Sequence, residues 1–324
     1  MLNYLSIGIL SFVLSFVLGP KTIPVFSRLK FGQTIRDDGP ETHLTKNGTP
    51  TMGGFIFITA ILISSGVAAL VFTDIGLKEI GFGILSMLLF GLVGFIDDYI
   101  KVVKKRSLGL NAKQKIMMQV VFSFIIALMS VKMSAMGTSI YLPFLRTTLN
   151  LGFLYVPFVM FVIIALVNSV NLTDGLDGLA STVTVIVSIG FFIISYKMDH
   201  PGIGMFLVMI IGSLVGFLRV NAFPAKIFMG DTGSMALGGA MAAVAVIMNI
   251  ELIVPMLCFV YFMESVSVII QVLYFKKTGR RFFKMAPIHH HFEKLGWHET
   301  KVVKLFVIIT IIMSALSTWA IWSI

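Results

Sequence analysis

The chain has a single cysteine, Cys258, among 324 residues. That excludes an intramolecular disulfide and a cysteine-built metal site. Charge is scarce as well. Only 12% of residues are Asp, Glu, Lys or Arg, against about 25% in a soluble domain. Acids are the scarcer sign, 15 against 25 Lys and Arg. There is no Walker loop, no GxSxG elbow and no HExxH pair, which argues against a P-loop ATPase, a serine hydrolase and a zinc protease. No internal repeat or low-complexity tract is visible. Matching Gly/Pro-broken spans in the two halves, the pattern of an inverted-repeat transporter, are missing too.

What the chain has is apolar length. It is 57% hydrophobic, with a mean hydropathy of +0.97. Runs of about 20 apolar residues, each enough to cross a bilayer as a helix, recur at roughly 2–20, 52–72, 80–100, 116–136, 153–170, 178–196, 202–220, 233–250, 252–275 and 304–323. The run Leu2–Leu18 has no basic start and no small-residue cleavage site, so a retained helix is expected rather than a signal peptide. With the N-terminus outside, 21 of the 25 Lys and Arg fall in inside segments and only Lys78, Lys132, Arg146 and Lys197 outside. Such a bias orients a membrane protein. The expected fold is therefore all-α: one polytopic integral membrane domain over 1–324, with ten transmembrane helices, both termini outside and the active site on the cytoplasmic face. The net charge of +10 is accounted for by topology and anionic lipid, with some left for a polyanionic substrate and no call for nucleic acid. Three inside segments are long, 21–51, 101–115 and 276–304. Outside, only 137–152 is more than a short loop, with turn-like Gly137, Pro143 and Asn150. The ninth run carries Glu264 and Gln271, which fit a helix that bends or faces a wet groove. A buried glutamate bonded to a neighbouring helix fits equally well.

Five of the 15 acids sit at the ends of apolar runs, on the side assigned as inside: Asp97, Asp98, Asp174, Asp177 and Asp231. Carboxylates at the hydrocarbon boundary are costly and need a reason. In DDYIK, Asp97 and Lys101 are i,i+4 neighbours. A helix C-terminus welcomes the lysines that follow but opposes two acids, and adjacent carboxylates repel unless a cation or a raised pKa intervenes. In NLTDGLDGLA, Asp174 and Asp177 share a face beside Asn171, and the glycines permit close approach by a ligand. Helix capping by Thr173 or Asp174 explains one acid at most. In NAFPAKIFMGDTGS, Asp231 opens a helix whose free N–H groups suit an anion, and a carboxylate there can hold the bridging metal; an ordinary N-cap is the plainer alternative. Asn221 and Phe228 flank it, Phe228 as a candidate to stack on a base or simply to pack. In APIHHHFE, consecutive His289, His290 and His291 lack the i,i+4 spacing of a helical zinc site and suit phosphate contact better. The turn from His43 to Gly54 places Lys46 to meet phosphate. Together these segments supply acids for a divalent cation and Lys and His for phosphate. They imply phosphoryl chemistry at the inner membrane face, with one substrate from water and one from lipid.

DDYIK, NLTDGLDGLA, FMGDTGS, APIHHHFE and KNGTPTMGG together resemble the phospho-N-acetylmuramoyl-pentapeptide transferase family, within the polyprenyl-phosphate N-acetylhexosamine-1-phosphate transferase superfamily. The acidic motifs are shared across the superfamily. APIHHHFE and TPTMGG point to the muramoyl-pentapeptide branch, and the likeness covers essentially the whole chain. The resemblance implies that UDP-MurNAc-pentapeptide donates phospho-MurNAc-pentapeptide to undecaprenyl phosphate, giving lipid I and UMP with Mg²⁺, in the bacterial plasma membrane. It implies that Asp231 binds Mg²⁺ and that Asp97 and Asp98 are catalytic. It places Asp174, Asn221 and Phe228 near the nucleoside, and Lys46, Lys101, Lys113, His289 and His290 near the phosphates or the catalysis. Asn171, Asp177 and His291 complete the substrate-binding candidates, and a homodimer is implied. Direct attack by the lipid phosphate is the expected route, with an aspartyl-phosphate intermediate as the rival. Three other readings stand beside this one: a sister transferase of GlcNAc-1-phosphate, a lipid transporter or flippase, and a non-catalytic scaffold. A flippase calls for polar residues at mid-membrane, where Glu264 is nearly alone. A scaffold leaves the five aspartates without a cause.

Overall fold

The structure is a computed structural model and describes residues 2–28, 46, 48–72, 75–102, 104, 109–145 and 147–322. Of the turn from His43 to Gly54, His43, Leu44, Thr45 and Asn47 lie outside the described residues. Each of the ten apolar runs forms a helix long and apolar enough to cross a membrane. In chain order the helices are α1 (Leu2–Arg28), α2 (Gly54–Val71), α3 (Leu77–Val102), α4 (Ala112–Met133), α5 (Tyr155–Thr173), α6 (Leu179–Lys197), α7 (Pro201–Asn221), α8 (Gly230–Ile247), the short α9 (Val254–Leu257), α10 (Phe259–Thr278), the short α11 (Ile288–Lys294) and α12 (Glu299–Trp322).

The bundle is organised around α8. Its span is 89% buried, against 22% for α1 and for α10. Its sequence, GDTGSMALGGAMAAVAVI, explains this. In lipid, helices associate by close packing, and small residues let backbones approach. The broadest contact is with α3, then α5 and α2, with α4 and α6 touching it less. Gly94 of α3 shows how tight the approach is, because a Cβ there would overlap the carbonyl of Asp231. That contact fixes the last turn of α3, with its two aspartates, against the first turn of α8.

Three local features depart from the sequence reading. The first helix continues past residue 20 to Arg28, with Pro20 and Pro24 inside it. The ninth run is broken: α9 ends at Leu257, Cys258 leaves helical geometry at φ −98° and ψ 28°, and α10 starts at Phe259. The segment 137–152 is not all turn. Ser139–Leu142 (β1) and Thr147–Asn150 (β2) pair antiparallel, Ser139 opposite Asn150 and Leu142 opposite Thr147, so among the described residues the fold is all-α apart from this hairpin. Asn249 anchors the hairpin to the α8–α9 turn, donating from Nδ2 to the Ser139 carbonyl at 3.0 Å and accepting from the Tyr141 N–H at 3.0 Å. Beside it, Tyr155 donates to Glu251 at 3.3 Å. Burial pushes the Glu251 carboxyl up to about 8.

Candidate active site

The acidic segments converge at the end of the bundle opposite that hairpin. Asp97 and Asp98 of α3 meet Asp231 of α8, with one oxygen from each carboxylate within 4.8 Å of the others. Two lysines thread between them. Lys101 lies 2.5 Å from Asp97 Oδ2 and 3.1 Å from Asp231 Oδ2. Lys115 of α4 lies 2.7 Å from Asp231 Oδ2 and 3.9 Å from Asp97 Oδ2. Asn171 at the end of α5 donates to Asp231 Oδ1 at 3.0 Å and to Ser234 at 2.8 Å.

The two aspartates of α3 are held differently. Both oxygens of Asp98 accept hydrogen bonds from the α8 start: Asp231 N at 3.2 Å, Thr232 N at 2.8 Å and the Thr232 hydroxyl at 2.7 Å. Asp98 is thus an N-cap supplied by another helix, satisfying donors that a helix start leaves open. Asp97 accepts from Leu110 N through Oδ1 at 2.9 Å. Its Oδ2 faces the ammonium groups of Lys101 and Lys115. By formal charge, three carboxylates and two lysines leave one negative charge over at a site where Asp97 and Asp98 are buried.

A second group lies alongside. Asp177 takes Lys46 at 2.7 Å and the Ala225 N–H at 2.8 Å. Lys46 also reaches Glu299, at the start of α12, at 2.7 Å. Asp174 lies between the two groups. Burial raises its carboxyl well above the usual range, and the charges of Asp231, Asp98 and Asp177 push the same way. Phe228 is partly buried, and its backbone is strapped to the turn before α2, by Phe228 N to Pro50 O at 2.8 Å and Gly53 N to Phe228 O at 2.8 Å. Asn221 is buried and committed internally, accepting from Ser181 at 2.7 Å and donating to the Ile227 carbonyl at 3.1 Å. It therefore shapes the loop 222–229 rather than offering a free amide.

The three histidines open α11, and about 100° per residue sends them apart. His289 is fully buried beside Glu264, its Nδ1 3.0 Å from Glu264 Oε1. His290 pairs with Glu293 at 2.7 Å. His291 accepts from the Lys284 N–H at 3.1 Å. The structure brings Asp97, Asp98, Asp231, Lys101 and Asn171 into one cluster and sets Lys46, Asp174 and Asp177 beside it. Lys113 is exposed on the first turn of α4 and, among the described residues, has no ion pair.

Sequence reasoning passed over Lys115 and Glu299. Lys115 had a signal. Lys115, Gln119 and Ser123 recur every fourth residue in an apolar helix, Gln119 and Ser123 are buried, and Gln119 bonds Asn168 of α5. A polar stripe at helical spacing marks the inward face. Glu299 had none, because its meaning depends on Lys46, distant in sequence.

Fold and site together define a polytopic membrane protein with an acid–lysine centre at one end of a ten-helix bundle. The family model for glycosyl transferase family 4 matches residues 80–249, which spans α3 to α8, and signature 1 of phospho-N-acetylmuramoyl-pentapeptide-transferases matches residues 46–58. The chain is 51% identical over 316 residues to the phospho-N-acetylmuramoyl-pentapeptide-transferase of Alkaliphilus oremlandii, covering 94% of each. It is 49% identical over 316 residues to that of Clostridioides difficile, covering 97% of each, and 49% identical over 304 residues to that of Clostridium perfringens, covering 94% of each. The chain belongs to the phospho-N-acetylmuramoyl-pentapeptide-transferase family.

Proposed function

We propose that the chain transfers phospho-MurNAc-pentapeptide from UDP-MurNAc-pentapeptide to undecaprenyl phosphate, releasing UMP and forming lipid I for peptidoglycan synthesis. The observation that carries this is the cluster of Asp97, Asp98 and Asp231 threaded by Lys101 and Lys115, in a chain about half identical to phospho-N-acetylmuramoyl-pentapeptide-transferases. The positive bias, 21 of 25 Lys and Arg, favours a cytoplasmic site and both termini outside. The composition and family favour the bacterial plasma membrane, and a homodimer is part of the same reading.

An oxygen-only donor set with one surplus negative charge fits a hard divalent cation. Asp231 is the ligand we assign, with Asp97 and Asp98 beside it. Mg²⁺ bound there supplies charge neutralisation for a diphosphate. The chain's own groups do the rest. Asp98 is committed to α8 and holds the α8 start in place. Asp97 keeps an oxygen turned to lysine ammonium groups, so it is the carboxylate assigned to orient the lipid phosphate or take its last proton. An oxygen of that phosphate attacks the β-phosphorus of the donor. The new P–O bond forms as the bond to UMP breaks, and Lys101 and Lys115 balance the charge that moves onto the leaving group. Lys46, exposed Lys113, His289, His290 and His291 are assigned to the phosphate and sugar side. Asp174, Asp177, Asn171 and Phe228 are assigned to the nucleoside side, with Asn221 behind them holding the loop 222–229.

The test is purified protein with undecaprenyl phosphate, Mg²⁺ and either donor. UDP-MurNAc-pentapeptide should yield UMP and lipid I, with inversion at a chirally labelled β-phosphorus, and UDP-GlcNAc should yield neither product. UMP from UDP-GlcNAc alone would move the chain to the sister activity. Retention at phosphorus would replace direct attack with the two-step route.

A further inference from the structure

Glu264 is a carboxylate inside the span of α10, on a helix that buries little else. The buried residues of α10 are Val260, Tyr261, Glu264 and Ser267, a single stripe at helical spacing. A carboxylate at such a position is expensive and calls for a partner. The partner is His289 of α11. Both side chains are fully buried, with Nδ1 3.0 Å from Oε1, and the His289 N–H faces Glu264 Oε2 at 3.5 Å. Glu264 is itself steady, because the next residue, Ser265, donates to Ser169 of α5 at 2.7 Å.

The far edge of the imidazole meets Gly175. A Cβ on Gly175 would overlap His289 Nε2 and lie 2.6 Å from Cε1. The ring therefore occupies the space a side chain would need, and the backbone between Asp174 and Asp177 rests on it. Asp174 immediately precedes Gly175 in the chain, and Asp177, which holds Lys46 and the Ala225 N–H, follows two residues later. Three elements distant in sequence are thus stacked in line: α10, α11 and the loop 174–178.

We infer that Glu264 is a positioning residue for the donor site, acting through His289 to fix the height and tilt of the loop 174–178. The inference rests on the transferase reading above. Without the carboxylate the ring loses the acid that its Nδ1 faces and turns, and Asp174 and Asp177 shift with the shelf. A displacement of about 1 Å at groups that position a substrate can cost about 100-fold. The acceptor on Glu264 is what the ring requires, so an amide in its place suffices.

The experiment measures UMP release by the full-length protein while the UDP-linked donor and undecaprenyl phosphate are varied separately. Glu264→Ala should raise the KM for the donor and lower kcat/KM for it by about 10- to 100-fold, with the KM for undecaprenyl phosphate unchanged. Glu264→Gln should return donor kcat/KM to within a few fold of wild type. A structural defect that only reduces the folded fraction lowers kcat and neither KM. The inference is overturned by an unaffected Glu264→Ala, by a loss confined to kcat, or by a Gln variant as impaired as Ala. If Glu264→Ala does not fold in detergent, Glu264→Asp carries the test: the shorter reach should produce the same donor-specific rise in KM, and a wild-type donor KM overturns the inference. Wild-type protein assayed in parallel keeps the two questions apart. No UMP from wild type fails the transferase reading, whereas active wild type with an indifferent Glu264→Ala fails this one.

Discussion

Asp231→Asn should lower UMP release by about 1,000-fold or more while the protein remains folded. The fold is expected to survive because the replacement is isosteric and the side chain is not fully enclosed, with 19% of it exposed. Asparagine keeps an acceptor for Asn171, which now reaches Asp231 Oδ1 at 3.0 Å. What disappears is the charge. Lys101 and Lys115 both lean on Asp231 Oδ2, at 3.1 and 2.7 Å. With a neutral amide there, two ammonium groups face only Asp97 and Asp98, and the surplus negative charge that favours a divalent cation is gone. Losing about 4 kcal/mol of metal-linked stabilisation of the transition state, within the several kcal/mol such sites supply, corresponds to the stated factor. The check is UMP release across a Mg²⁺ titration, beside thermal unfolding in detergent. Turnover near wild type at ordinary Mg²⁺ would remove Asp231 from the metal-ligand role.

Asp231 also shows which parts of this protein can be read from sequence. The ten helices are legible because each is a membrane-length apolar run, and hydrocarbon leaves a chain little choice but helix. Their ends are less legible. The first apolar run is bounded at residue 20, yet α1 continues through Pro20 and Pro24 to Arg28. The break at Cys258 lies inside an apolar run, where hydropathy carries no mark of it. The hairpin 139–150 was hidden in a segment marked by turn residues, although Ile140, Tyr141, Thr147 and Thr148 favour strand. At the site, the aspartates and histidines stand out because a polar group beside hydrocarbon is costly. Their partners do not stand out. That Asp98 caps α8, that Lys46 bridges Asp177 and Glu299, and that Asn221 is spent on its own loop are facts of long-range packing.

The starkest case is a pair of lysines two residues apart, Lys113 and Lys115. Family likeness drew attention to Lys113, whereas the fold puts Lys115 in the cluster. Asn111 caps α4, accepting from Gln114 N at 2.8 Å, and this sets the helical phase. Two residues further along a helix is about 200° around it, so the two lysines cannot face the same way. Lys115 points in with Gln119 and Ser123, and Lys113 points out. Lys115→Met should therefore cost about 100- to 1,000-fold in kcat, the range for removing one preorganised charge from a transition state, because Asp231 Oδ2 loses its nearest cation. Methionine keeps the unbranched stem and adds no charge, so packing against α5 should hold. Lys113→Met should cost about 10-fold at most and appear mainly in the KM for the donor, as expected of a solvent-facing cation that meets substrate phosphate on arrival. Steady-state UMP release by the two variants, with donor and lipid each saturated in turn, decides between them. The assignment fails if Lys113→Met is the more damaging in kcat, because the inward lysine would then be a structural counter-ion and the charge acting on the reacting phosphates would come from the exposed side of α4.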